Sequence, residues 1–326
     1  MNFFQNLISS IMGRSQKIGY FRSKSFGVLH KDIDKALESV MSKSGEVSSL
    51  VFAEHLCNLI DDLNDDEFIK FFDNVLENYD IDSKALLRAT NEYAKNKTQN
   101  NLEIISQLSE PRWRELFRRL NSIPEGTIRL VKLRERIRSL KKDNPNLQFF
   151  DRSLLICFKY WFNPSFLVLE NIDWSTPADI LEKIIAYEAV HEINSWDDLR
   201  ARLAPKDRKC FAFFHPLMPN EPLIFVEVAL TSKMPDSISE IIKIDRSVTL
   251  DQDINTAVFY SISNCQEGLS GISFGNFLIK KVANKLKQEN EGLETFTTLS
   301  PVPGFTKWLE KKSITSSGDQ DDLMRQ

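Results

Sequence analysis

The chain has few of the residues that build metal centres and disulfide frameworks. Its four cysteines (Cys57, Cys157, Cys210, Cys265) and four histidines (His30, His55, His191, His215) are scattered along 326 residues without ligand spacing. No metal site is expected from that pattern, and the cysteines, mostly in apolar company, read as buried thiols of a reducing compartment. No apolar run approaches the roughly 20 residues needed to cross a bilayer. A net charge of −4 argues against general nucleic-acid binding. Neither the dinucleotide G-x-G-x-x-G nor the lysine of a P-loop is present. The first 31 residues hold no acid but carry Arg14, Lys17, Arg22, Lys24 and Lys31. They read either as a transit peptide or as a basic first helix. No secretory signal is evident, and the C-terminal Leu323-Met-Arg-Gln326 is not a peroxisomal address.

No proline occurs before Pro111. Apolar residues there recur at helical spacing: Ile33, Ala36, Leu37, Val40 and Met41, then Val51, Phe52, Leu56, Ile60 and Leu63, then Phe68, Phe71, Phe72, Val75 and Leu76. Residues 1 to about 170 are therefore expected to be all-α, with breaks at Pro111, at Pro124-Glu-Gly126 and near Pro145. Thr176-Pro-Ala-Asp179 reads as a helix start, with Thr176 as N-cap. Strands are expected over 209–215, 223–230, 257–263 and 294–299. The first two are joined by Pro216–Pro222, which reads as a turn. A helix is expected from Asn276 to about Asn290. The fold class is α+β.

Two constellations bear on chemistry. Gln266-Glu-Gly-Leu-Ser-Gly-Ile-Ser-Phe-Gly-Asn276 follows a strand and opens a helix, and its glycines sit at 268, 271 and 275. Free amides at a helix start favour a diphosphate, although a tight packing turn would have the same composition. Downstream, Leu299-Ser-Pro-Val-Pro-Gly-Phe-Thr-Lys-Trp308 ends a strand in a serine fenced by prolines. That strand should lie beside the one feeding the glycine turn. A serine that transfers protons needs a partner base, and His215 is the local candidate; alternatively it is bonded to the proline-rich turn that follows. Lys183 either lies on a solvated helix face or supplies a cation to a substrate carboxylate or phosphate.

With Ser109-Glu-Pro-Arg-Trp113, Trp161-Phe-Asn-Pro-Ser165, Leu181–His191, Arg208–Pro216 and Glu221–Thr231, these two motifs make the chain resemble the malonyl-CoA decarboxylase family, from its first residues to about Leu309. The resemblance implies a helical oligomerisation domain at 1–172, giving a dimer or tetramer. It further implies a partial acetyltransferase-like (GNAT-type), mixed-sheet catalytic domain at 173–312 and a polar tail at 313–326. It implies cleavage of malonyl-CoA to acetyl-CoA and carbon dioxide without any cofactor. Ser300 takes the catalytic serine role, and Lys183 stands where the family has a lysine linked to activity. By the same resemblance Ser270, Gly271, Ile272, Ser273, Phe274, Gly275 and Asn276 are expected to hold the CoA. The opening residues look like the bacterial branch, which places the protein in the cytoplasm, with the mitochondrial matrix as the alternative; neither a membrane nor a nucleic acid is expected as partner. Family members continue well beyond the tryptophan motif, and their catalytic histidine lies in that extension. The expectation is a C-terminally truncated sequence lacking the partner of Ser300 and the strands that complete the sheet. The alternatives are an inactive acyl-CoA-binding or oligomerisation remnant, or an acyltransferase.

Overall fold

The computed structural model describes residues 32–42, 46–302 and 304–315. The basic segment 1–31 and the end of the tail lie outside the described residues. Contacts divide the chain into two compact units that do not follow chain order. One comprises 1–168, 213–223 and 266–274; the other comprises 169–212, 224–265 and 275–326.

The first unit is helical: α1 (Ile33–Met41), α2 (Glu46–Asp61), α3 (Asp65–Asn78), α4 (Ser83–Lys95), α5 (Gln99–Leu108), α6 (Trp113–Asn121), α7 (Gly126–Leu140) and α8 (Leu147–Trp161). The helix breaks fall where Pro111, Gly126 and Pro145 place them. Helix α3 starts at a complete capping box of Asn64 and Glu67. The apolar stripes face inward, and Phe68, Phe72, Phe117 and Phe150 are almost wholly buried. Phe150 is the hub, with its ring 4.7 Å from that of Phe72 and 5.1 Å from that of Trp113. The Trp113 indole donates to Ser153 Oγ at 3.0 Å, so this core leaves its polar tip satisfied.

A five-stranded sheet runs in the order β1 (Val168–Ile172), β2 (Arg208–His215), β3 (Met218–Thr231), β4 (Thr256–Asn264), β5 (Thr295–Thr298). Strands β3 and β4 are antiparallel, while β4 and β5 are parallel. The helices of this half are α9 (Ala178–Tyr187), α10 (Trp196–Leu203), α11 (Ile238–Ile242), α12 (Gly275–Glu289), which connects β4 to β5, and α13 (Phe305–Thr315). A parallel neighbour requires such a crossover. The class is α+β, a helical region followed by a mixed sheet, as the sequence indicates. Helix α13 passes Ser313, where the sequence reading began the polar tail.

Two local expectations are corrected. Pro216–Pro222 is not all turn: β3 begins at Met218 and includes Pro219 and Pro222. Strand β3 meets β4 only from Ile224 onward, so these prolines lie outside the β3–β4 ladder. Nor does Thr176 cap α9. Its hydroxyl accepts from the Asp173 amide at 3.0 Å, and the helix begins after Pro177 without a side-chain cap.

Candidate functional site

The glycine motif begins where β4 ends. A short 3₁₀ turn at Glu267–Leu269 leads through Ser270 and Gly271 to α12. Within the helical unit, Gly268 lies flush on α7: a Cβ there would come 2.0 Å from the Val131 carbonyl oxygen. Buried Leu269 and Phe274 pin the turn on either side of Gly271, whose φ of +91° favours glycine. Gln266 donates to the Pro222 carbonyl at 3.0 Å and holds the entry. Arg134 of α7, 1% exposed, donates through Nη1 to the carbonyls of Gly268 (2.6 Å) and Ser270 (2.9 Å). Its Nε donates to Asp151 Oδ1 at 2.8 Å, and Lys141 bonds the other carboxylate oxygen. Burial pushes the Asp151 carboxyl upward, but Lys141 and Arg134 outweigh it and leave it below the usual value.

Of the seven residues expected to hold CoA, Gly271, Ser273 and Asn276 are exposed, and Ser270, Ile272 and Gly275 are half-buried. The Phe274 side chain is in the core, so only its main chain could face a ligand. Gly275 opens the 15-residue α12, whose first-turn amides have no partners inside the helix.

Ser300 is exposed and is the second residue after β5. The preceding Leu299 anchors it: its amide donates to the Phe259 carbonyl at 2.9 Å, and its side chain packs on Ala229, Ile241, Val258 and Tyr260. The ladder between β4 and β5 covers only Thr256–Phe259 opposite Thr295–Thr298, while β4 runs on to Asn264. The strand ending at Ser300 thus lies beside the strand that feeds the glycine turn. Just past the last β4–β5 pair, β4 bulges against β3: Ser261 pairs with Glu227 and Phe259 with Val228, leaving Tyr260 extra.

The bulge is surrounded by polar groups that sequence reasoning missed. His191 Nε2 lies 3.2 Å from the freed Tyr260 carbonyl. Buried Glu188 accepts from the hydroxyls of Ser261 (2.7 Å) and Ser263 (3.1 Å) and from the amides of Val190 and His191. Buried Arg202 donates to the carbonyls of His191 and Glu192 and meets Glu227 Oε2 at 3.3 Å. Burial pushes the Glu227 carboxyl up to about 8, against the pull of Arg202. A signal was there to read: Ser261, Ser263 and Glu227 are polar residues set inside the apolar runs of β4 and β3.

The histidine that the sequence singled out is committed elsewhere. His215 Nδ1 accepts from the Leu217 amide at 3.2 Å, so Nε2 carries the proton and donates to the Trp161 carbonyl at 3.1 Å. Burial lowers its pKa. This is the turn-bonded alternative, and it makes His215 a structural neutral imidazole. Lys183 is half-buried on α9. The four cysteines are buried, and burial lifts the Cys57 thiol to about 12. Among the described residues, no helix is long and apolar enough to cross a membrane.

Helices followed by a mixed sheet, with a glycine turn opening α12 and a proline-fenced serine after β5, define a protein of the α+β class. Comparison with known proteins makes the class particular. Residues 79–162 match the malonyl-CoA decarboxylase N-terminal domain, and 165–324 match the C-terminal domain, which carries the similarity beyond Leu309. The crystal structure of malonyl-CoA decarboxylase from Rhodopseudomonas palustris is 45% identical with a TM-score of 0.81, over 87% of this chain and 70% of that one. The enzyme from Agrobacterium vitis gives 45% and 0.84, over 88% and 70%. The mitochondrial malonyl-CoA decarboxylase of Anser anser anser is 42% identical over 205 residues, 61% of this chain and 40% of that protein. The chain belongs to the malonyl-CoA decarboxylase family. It spans about two fifths of the length of the curated relatives it matches.

Proposed function

We propose that this chain binds malonyl-CoA and takes part in its decarboxylation to acetyl-CoA and carbon dioxide. Breaking the bond to the carboxylate carbon releases carbon dioxide and leaves the electron pair as an enolate on the thioester oxygen; a proton then adds to carbon. A donor aimed at that oxygen lowers the barrier. Ser300 is the donor in this reading. The observation that carries it is its exposed hydroxyl at the point where β4 and β5 part, anchored by Leu299. The segment Ser270–Asn276 receives the CoA diphosphate through amides other than those of Ser270 and Ile272, which donate to the Glu267 and Leu269 carbonyls. Lys183 supplies a cation to the substrate carboxylate or to a CoA phosphate. Incubation with malonyl-CoA, with acetyl-CoA release followed, tests the reading: equal amounts of acetyl-CoA and carbon dioxide support it, and no turnover refutes it.

A second reading is CoA binding without turnover, favoured by the engagement of both His215 ring nitrogens with the main chain. Calorimetric binding of CoA by a chain that does not turn over malonyl-CoA would select it. Self-association through the helical region fits exposed Leu87, Leu102 and Ile104 on α4 and α5, which bury no side chain of their own; light scattering of the pure chain would give its mass. A cytoplasmic location rests on the bacterial look of the opening residues, and imaging of a tagged chain would check it.

A further inference from the structure

We infer that Arg134 is a positioning residue for the CoA diphosphate: held by Asp151, it clamps the glycine turn on α7 so that the Gly271 amide faces outward to the ligand. This rests on the reading of Ser270–Asn276 as the CoA-binding turn.

A guanidinium at 1% exposure is costly to desolvate. Its ion pair with Asp151 balances the charge, but buried ion pairs are seldom better for stability than apolar residues of the same shape. What an apolar residue could not do is bind two carbonyls of a segment 134 and 136 residues away in sequence. Peptide planarity gives those bonds a direction. In a trans peptide, the C=O of one residue and the N–H of the next point opposite ways. Drawing the Gly268 and Ser270 oxygens toward Arg134 therefore aims the Leu269 and Gly271 amides away from it. The Leu269 amide is taken by the Gln266 carbonyl at 2.9 Å. The Gly271 amide belongs to an exposed residue at φ +91°, four positions before α12 begins. Its neighbours are committed within the turn, the Ser270 amide to the Glu267 carbonyl at 3.0 Å and the Ile272 amide to the Leu269 carbonyl at 3.1 Å, so the Gly271 amide is the one the clamp turns toward an anion. The contact of Gly268 with Val131 removes slack, because the turn cannot sink further to re-aim its peptides.

Arg134 never touches the ligand in this arrangement; it acts through the turn. Removing the arginine alone leaves Asp151 partly unpaired and threatens folding, so the informative variant is Arg134→Met with Asp151→Leu, which removes both charges at similar volume. Arg134→Lys, which keeps the charge but cannot fork to both carbonyls, is the companion. The readouts are amide exchange across residues 268–276 and calorimetric affinity for CoA and for pantetheine, which lacks the diphosphate. The expected result is a folded double variant with faster exchange at the turn, CoA affinity weakened about tenfold or more, and pantetheine affinity within about twofold of wild type. Arg134→Lys should fall between. A purely structural role would lower melting temperature and move both ligands together, or neither. A folded double variant with unchanged exchange and unchanged CoA affinity overturns the clamp. If wild type itself binds no CoA, the CoA reading falls, and the exchange rates still decide whether Arg134 shapes the turn.

Discussion

Gly268→Ala is the sharpest test of how the turn is seated. The new Cβ would lie 2.0 Å from the Val131 carbonyl oxygen, 2.7 Å from its carbon and 2.9 Å from Val131 Cγ1, where ordinary contact begins at 3.4 Å. The shortfall of about 1.4 Å is against main chain inside α7, which has nowhere to go. The turn must lift instead. A lift of that size carries the 2.6 Å bond between Arg134 and the Gly268 carbonyl out of hydrogen-bond range. Losing a bond to a charged group costs about 1.5–3 kcal/mol, and overpacking costs about 1–3 kcal/mol. Together the expected loss is about 2.5–6 kcal/mol, a large part of a typical domain's stability. The assay is urea unfolding followed by circular dichroism, with amide exchange across the turn measured alongside. Gly126→Ala is the control: its Cβ would lie 2.2 Å from the Leu120 carbonyl oxygen, so it strains the same unit but leaves the turn alone. Both variants should lose stability, and only Gly268→Ala should speed exchange at the turn. A Gly268→Ala protein within 0.5 kcal/mol of wild type, a margin typical of neutral surface changes, would refute the reasoning.

Other outcomes follow from the same structure. Gly271→Ala has room, with Leu155 Cδ1 3.4 Å away, but must hold φ at +91°. Its expected cost is about 1–2 kcal/mol from backbone strain alone, read by the same melt. Ser300→Ala, at an exposed position, should leave the melting curve within about 0.5 kcal/mol of wild type while lowering decarboxylation about 10²–10³-fold; an unchanged rate would remove Ser300 from the mechanism. Glu227 keeps its proton in the folded chain up to about pH 8, whereas an unfolded glutamate releases it near pH 4.3. Stability should therefore fall as pH rises from about 4.3 to 8, by several kcal/mol, and Glu227→Gln should flatten that slope. Asp151 behaves in the opposite sense. Its depressed carboxyl stabilises the fold above about pH 3.9, that contribution is lost as pH falls through its folded value, and Asp151→Asn should abolish this acid-side loss.

The helical half was legible because its signals are local. Pro111, Gly126 and Pro145 punctuate it, and the stripe of Phe68, Phe71, Phe72 and Val75 is buried at the spacing it shows in sequence. Strand β4, helix α12 and the pairing of β4 with β5 followed from strand–turn–helix–strand order alone. Where the reading failed, the deciding contact was remote. Pro219 and Pro222 fit in β3 ahead of Ile224, where its pairing with β4 begins. Thr176 turned back to Asp173 in preference to the helix it precedes. His215 drew attention as the histidine nearest a strand end, yet Trp161, far upstream, claims it, and His191 is the one that meets the bulge. Arg134 carried no local mark at all, since the carbonyls it serves lie more than 130 residues downstream.

The close fit of Gly268 on α7 bears on how genes of this type can be dissected. The two family segments meet between residues 162 and 165, and α7 lies upstream of that junction while the turn lies downstream. A fragment expressed from the junction onward would spell out the whole glycine motif without the surface that gives it shape. The shape of that turn in such a fragment would say nothing of its shape in the longer chain, where Gly268 rests on Val131.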